Sequence, residues 1–329
     1  MPIITAPVVT PPDPGGGGGG TPVPLPEIGY ATATYTDPSG TVWPLTDTEA
    51  SWFTLAEGVS GLGAAEYELT KDPHPRGGAR LRHAQVQPRT IIWPLFVEGA
   101  DHDKFLANWR ALAKAFTRTL RPGPDGTRTP GVLEIARPDG TRRQIEVFYQ
   151  EGFEGQDKKG YYRQSDSAVI SLWCEDPYWI DPEPVGVHRE SGSSSSFFSP
   201  YPTVSSSQIL GATTVNNPGD VEVWPTWIIT GPASLITFTH SGTSESFALN
   251  PSDPDVGHGN LLAGQQVTIQ TDPGRVRYQN GDNWIGGINW PTASLWGLAP
   301  GDNEVIFALS GSGAGSAVDL TFNPRYETA

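Results

Sequence analysis

Ser171-Leu-Trp-Cys-Glu-Asp-Pro-Tyr-Trp179 marks the place where a strand ends and one folded unit gives way to another. From Ser167 to Cys174, the residues Ala168, Ile170, Leu172 and Cys174 alternate with Val169, Ser171 and Trp173. A period of two puts the first set on one face, so the pattern predicts a strand with one deeply buried side. Asp176-Pro177 stops it, because proline has no N–H for a ladder and pushes the preceding residue toward extended or turn geometry. Behind it, Ile180-Asp-Pro-Glu-Pro184 and a Ser-Gly tract from Ser191 to Ser196 have the composition of a connection between compact units.

Upstream of the seam, turn sequences at Asp37-Pro-Ser-Gly40 and Pro138-Asp-Gly-Thr141 separate strand-like runs, and the second predicts a hairpin joining Val132–Ala136 to Gln144–Tyr149. One helix is expected over 101–119. Asp101 is its N-cap, Phe105, Leu106, Trp109, Leu112, Ala113 and Phe116 fall on one face, and Pro122-Gly123 ends it. Trp109 and Phe116 are the expected anchors of that face. Asp103 near its start and Lys114 and Arg118 near its end suit the helix dipole.

Downstream, short runs at Val221–Thr230, Leu235–His240, Ser246–Leu249, Val267–Gln270, Val305–Leu309 and Val318–Phe322 are separated by turn-rich pieces, with no helical pattern among them. This spacing predicts an antiparallel sandwich or jelly roll. Gly311-Ser-Gly-Ala-Gly315 reads as a hairpin loop. At the other end, residues 1–26 combine eight of the chain's prolines with six consecutive glycines, Gly15 to Gly20, a composition from which no core can be built. The expected organisation is a Pro/Gly-rich flexible arm over 1–26, a β-rich domain over 27–180, a linker over 181–208 and a β-sandwich over 209–329.

Charge is uneven along the chain. Lys and Arg number 17 against 23 Asp and Glu in residues 1–182, but 4 against 13 in 183–329, within a net charge of −15. An acidic chain is a poor generic binder of phosphate backbones. No apolar run approaches the roughly 18 residues of a spanning helix, and a basic-then-apolar leader is absent, so synthesis and folding in a cytosol are expected with no membrane insertion. Cys174 is the only cysteine, which excludes an intrachain disulfide, and its strand position predicts a buried inert thiol.

The motifs of catalysis are missing. The six histidines are scattered, Asp101-His-Asp103 is accounted for by the helix start, Asp253 and Asp255 by a solvated loop, and Glu66 and Glu68 by an acidic strand face. No nucleophile elbow or phosphate loop is present, and Gly15–Gly20 has neither the strand nor the helix that a dinucleotide site requires. No catalytic residue, metal ligand or cofactor is assigned, and a non-enzymatic protein is expected. One constellation could bind a ligand: Tyr278, Trp284, Trp290 and Trp296 crowd a short stretch of the second domain.

Four stretches together resemble one family. Gln87-Pro-Arg-Thr-Ile-Ile-Trp-Pro-Leu95 carries a basic strand before the helix, Glu175-Asp-Pro-Tyr-Trp179 ends the first domain, Asn217-Pro-Gly-Asp220 with Pro225 opens the second, and Leu298-Ala-Pro-Gly-Asp-Asn303 leads into a late strand. In this order they are similar to the distal tail protein family of siphophages (Dit, the siphovirus-type tail component family), over roughly residues 27 to 326. The signature positions so matched are Arg89, Glu175, Asp176, Pro177, Tyr178, Trp179, Asn217, Gly219, Asp220, Pro300, Gly301 and Asn303. The resemblance implies a mainly β protein, with an N-terminal β-rich, ring-forming (belt-type) domain holding one α-helix and a C-terminal β-sandwich of jelly-roll, galectin-like form.

It also implies a virion component at the phage tail tip, a homo-oligomeric ring that is usually a hexamer. The tail tube protein would stand on one side and the baseplate hub or tail fibre protein on the other. The tape-measure protein and then DNA would pass through the channel, the DNA without specific binding. A tail-like injection machine shares these parts. The alternative reading is a carbohydrate-binding minor tail protein whose sandwich recognises host cell-wall glycan through the four aromatic residues.

Overall fold

A computed structural model describes residues 31–55, 57–154, 163–191 and 211–329. The arm expected over 1–26 and most of the Ser-Gly tract lie outside the described residues. The chain divides into two units, one running to Trp179 and including Thr328–Ala329, the other comprising Ile180–Glu327.

In the first unit the strands are β1 (Thr32–Thr36), β2 (Val42–Pro44), β3 (Trp52–Thr54), β4 (Tyr67–Pro73), β5 (Ala79–Val86), β6 (Arg89–Glu98), β7 (Gly131–Ala136), β8 (Arg142–Glu151) and β9 (Ser165–Cys174). Seven of them form an antiparallel path β2-β1-β7-β8-β9-β6-β3, while β4 and β5 make a separate two-stranded ribbon. The decisive strand behaves as its alternation requires. Ala168, Ile170, Leu172 and Cys174 are all buried, and β9 pairs with the whole of β6, from Arg89 opposite Cys174 to Glu98 opposite Ser165. Desolvation pushes the Cys174 thiol up to about 12, so it stays protonated and inert at neutral pH.

The one α-helix, α1 (His102–Thr117), is capped by Asp101, whose carboxylate accepts from the Lys104 backbone N–H at 2.7 Å, and a 3-10 turn over Arg118–Leu120 continues it. Its buried face is Phe105, Asn108, Leu112, Ala115 and Phe116. Phe116 stacks on Tyr35 of β1 at 4.1 Å between ring centroids. Trp109, expected to be an anchor, is only half-buried and meets the edge of Phe153 instead, because it sits at the margin of the apolar stripe. The two aromatics should therefore separate in urea unfolding: Phe116→Ala should cost about 3–5 kcal/mol as a core truncation. Trp109→Ala should cost about 1–3 kcal/mol, because part of its surface is already in water.

The boundary falls within β10 (Trp179–Ile180), and the second unit then carries β11 (Val185–Glu190), β12 (Ala212–Asn217), β13 (Thr226–Thr230), β14 (Leu235–His240), β15 (Glu245–Leu249), β16 (Gln266–Gln270), β17 (Arg275–Tyr278), β18 (Gly301–Ser310), β19 (Ala317–Phe322) and β20 (Arg325–Tyr326). Two antiparallel sheets result, β11-β19-β13-β16-β17 and β12-β18-β14-β15. Strict alternation along β18 turns Asn303, Val305, Phe307 and Leu309 inward, where they share one core with Trp227, Phe238, Phe247 and Trp296.

Three expectations need correction. Val185–Glu190, inside the stretch read as linker, is a strand on β19, since Val185 and Val187 pack against the sandwich core. The run from Val221 becomes a strand only at Thr226, after Trp224-Pro225, where proline removes a ladder donor. The glycine-rich stretch 311–315 is not a hairpin loop, because β18 and β19 belong to different sheets and the loop carries the chain from one to the other.

Candidate functional site

Several of the signature residues, Arg89, Asn217 and Asn303 foremost, are structural clamps in this fold. Arg89, at the start of β6, is buried, and its guanidinium reaches three backbone carbonyls: Nε donates to Pro177 O at 2.7 Å, and a terminal nitrogen donates to Gly61 O at 2.7 Å and to Gly63 O. The planar fork of arginine suits several acceptors held by rigid backbone. One side chain thus ties the Asp176-Pro177 turn to the loop before β4. Pro177 and Trp179 are buried, Tyr178 is half-buried with its backbone N–H on the Asp176 carboxylate, and Glu175 and Asp176 are exposed.

In the second unit the two asparagines do equivalent work on paired strands, Asn217 opposite Gly301 and Val215 opposite Asn303. Asn217 donates to Val221 O and Leu298 O, both at 3.0 Å, and accepts from the Gly219 N–H at 2.9 Å. Gly219 is obligatory there, since a Cβ would lie 2.5 Å from the carbonyl oxygen of Arg325. Asp220 holds the same segment by donating its N–H to Arg325 O at 2.8 Å and accepting from the Glu327 N–H at 3.2 Å. Pro300 is exposed at the turn, and Gly301 has the positive φ, +86°, that the turn needs.

Of the four aromatics read as a ligand-binding set, three are core residues. Tyr278 and Trp284 stack on each other at 4.5 Å and Trp296 packs edge-on against Trp227 at 5.2 Å, all three buried. Trp290 alone is exposed, at 50%. The structure therefore places Tyr278, Trp284 and Trp296 in the sandwich interior and Trp290 at the surface, so these four do not share one exposed face. Among the described residues, no group of three or more His, Cys, Asp or Glu is placed to hold a metal ion, and no helix is long and apolar enough to cross a membrane.

Two exposed apolar surfaces of the first unit were not singled out in the sequence. The β4–β5 ribbon is turned by His74–Gly78 and is solvent-exposed almost throughout. Its ladder opposes Tyr67 to Val86, Leu69 to Ala84, Lys71 to Leu81 and Pro73 to Ala79, and opposed pairs point to the same side. One side is thus apolar apart from Lys71, with Tyr67, Leu69 and Leu81 exposed by 44%, 45% and 61%. The other carries Glu68, Gln85, Thr70, His83, Asp72 and Arg80, and Arg82, at the bulge, pairs with Asp72.

The second surface is the outer side of β8 and β9. Phe148 lies opposite Trp173, their rings 6.0 Å apart, and with Leu120, Tyr149, Arg128, Gln150 and Glu175 they line an open groove of about 520 Å³. Thr119 positions the groove wall, its hydroxyl accepting the Tyr149 N–H at 3.0 Å, and Arg128 donates to Leu120 O at 3.1 Å. Val169, on the same side of β9 but separated from Trp173 by the buried Ser171, is exposed by 57%.

No protein-family model and no curated protein matches the sequence. Solved structures do. The crystal structure of SPP1 Dit, a paradigm of hub adsorption apparatus in phages infecting Gram-positive bacteria, matches over 90% of this chain and 99% of its own, with a TM-score of 0.60 at 14% identity. The fold is that of a phage distal tail protein. Chains of the phage P2 baseplate in its activated conformation agree, with calcium (TM-score 0.52, 10% identity, 91% of this chain and 100% of that one) and with strontium (0.53, 12%, 92% and 100%). Such a distal-tail fold, mainly β with one helix, is what the ordered signature stretches implied, and at these identities the likeness concerns the fold.

Proposed function

We propose that this chain is a non-enzymatic structural protein of a long-tailed phage, a Dit-like distal tail subunit at the tail tip. It closes head to tail into a ring, a hexamer by family resemblance. The ring joins the tail tube to the baseplate hub or tail fibre protein, and the tape-measure protein and genome pass through it. The observation that carries this reading is the β4–β5 ribbon. A two-stranded ribbon is marginal in water on its own, and while the Tyr67 hydroxyl meets that of Tyr178 at 3.2 Å, Leu69 and Leu81 leave this one with an exposed apolar side whose burial needs a partner. The distal-tail fold supplies the context in which that partner is another subunit.

A ring built by a head-to-tail contact requires two different patches on each copy, and the ribbon and the β8–β9 face are two such patches. Negative-stain classes of the purified protein and of tails should show a closed ring with a central channel. Replacing 67–86 with a short Gly-Ser turn should leave each unit folded, because the Gln87 N–H already bonds to Glu66 O at 2.8 Å across the base of the ribbon. The same deletion should abolish the ring. A discrete monomer for the intact protein, both in solution and in tails, would overturn the proposal.

A further inference from the structure

The geometry points to the acceptor of the ribbon: the apolar side of β4–β5 in one copy seats in the Leu120–Phe148–Trp173 groove of the next. This rests on the ring proposal and adds to it the two contact surfaces and their polarity around the axis. Both surfaces are apolar, exposed and on the same unit, yet on different elements, so joining one to the other leaves a free ribbon and a free groove at the ends of any open chain of copies. Self-association of two ribbons or two grooves would instead give a closed pair.

Charge favours the same match. Residues 67–86 hold Lys71, Arg76, Arg80 and Arg82 against Glu68 and Asp72, four cations to two anions, within a chain of net charge −15. Glu175 lines the groove, Asp176 follows it in the chain, and Glu146 stands two residues before Phe148 on β8, close enough to feel both. The Glu146 carboxyl is held above its ordinary range first by loss of solvation and then by the repulsion of Asp176 and Glu175. Of the ribbon's cations Lys71 lies on the apolar side itself and Arg76 in the turn, whereas Arg80 is on the opposite side and Arg82 is paired with Asp72, so a seated ribbon brings Lys71 and Arg76 toward the carboxylates, and its net positive charge raises the rate of encounter. Arg128 in the groove is engaged by Leu120 O.

The test uses full-length chains carrying one added cysteine. Leu81→Cys and Leu69→Cys chains are each mixed with Leu120→Cys chains and treated with a short bis-maleimide; Cys174 is buried and protonated, so it stays silent. Inter-chain dimers are expected in the mixtures and not with any single variant alone. Leu81→Asp, at an exposed position, should weaken association about 10- to 100-fold without changing the unfolding curve, and Leu81→Met should assemble like the parent. Rings with no mixed cross-link at either ribbon position, or rings that survive Leu81→Asp unchanged, would overturn the assignment of the groove and leave the ring standing. Absence of any ring in the parent would overturn both.

Discussion

Arg89→Ala is expected to destabilise the first unit by about 3–5 kcal/mol, enough to leave it largely unfolded if its stability is that of an ordinary domain. The reason is asymmetric. Truncation removes a charged donor and leaves the carbonyls of Pro177, Gly61 and Gly63 facing the space it occupied, with a loop and a turn no longer tied together. Arg89→Lys should recover about half of the loss, since an ammonium keeps the charge but not the fork that meets separated acceptors. A matched control is Arg82→Ala on the ribbon. There the ion pair with Asp72 is mostly solvated, with side chains 69% and 44% exposed, and its loss should cost about 0–1 kcal/mol. Urea unfolding followed by fluorescence measures both, and the transition of the second unit serves as an internal reference. Equal, small costs for the two arginines would mean that the clamp adds nothing that water cannot replace.

What was legible in the sequence follows from how local its cause is. The β9 strand and its stop are fixed by neighbours along the chain, apolar alternation and then Asp176-Pro177, and both appear where the pattern put them. The α1 cap is equally local, one carboxylate and an N–H three residues away. The β4–β5 ribbon was missed because Lys71-Asp-Pro-His-Pro-Arg-Gly-Gly78 is charged and broken by proline and glycine, and its flanks alternate only weakly. Its apolar side becomes visible only when the ladder, with its bulge between Thr70 and Lys71, sets Leu69 beside Ala84 and Leu81 beside Lys71. The aromatic set failed for a related reason. Four aromatic residues close in sequence do not specify whether their faces meet solvent or one another. In the fold Tyr278 and Trp284 occupy each other's faces. The groove joins Leu120, Phe148 and Trp173, whose proximity depends on the register between β8 and β9 and on the turn after α1, neither of which a composition reveals.

For the second unit the largest single effect is expected at Asn303. Its amide is a complete hub: the carbonyl oxygen accepts from the Ala299 N–H at 3.0 Å and bonds to His240 Nε2 at 3.1 Å, while the NH₂ donates to Ala299 O at 2.8 Å, Gly301 O at 2.9 Å and Val215 O at 3.4 Å. Only a side chain with donors and an acceptor on one planar group can serve both sets at this size. Asn303→Ala should cost about 2–4 kcal/mol, because it orphans backbone groups at a buried turn. Asn303→Asp should cost more, about 3–5 kcal/mol near neutral pH, since it also sets a carboxylate against the carbonyls of Ala299, Gly301 and Val215. The sign of its pH dependence is then fixed. Burial and those carbonyls raise the carboxyl pKa of the folded variant above its unfolded value, so the penalty applies above the unfolded pKa and grows until the pH passes the folded one. Stability of the Asp variant relative to the parent should therefore recover as the solution is acidified, when protonation restores one donor, whereas the Ala variant should show no such recovery. A pH-independent deficit for Asn303→Asp would show that the new carboxylate escapes to solvent, and with it that the turn after Leu298 does not need the hub to hold its shape.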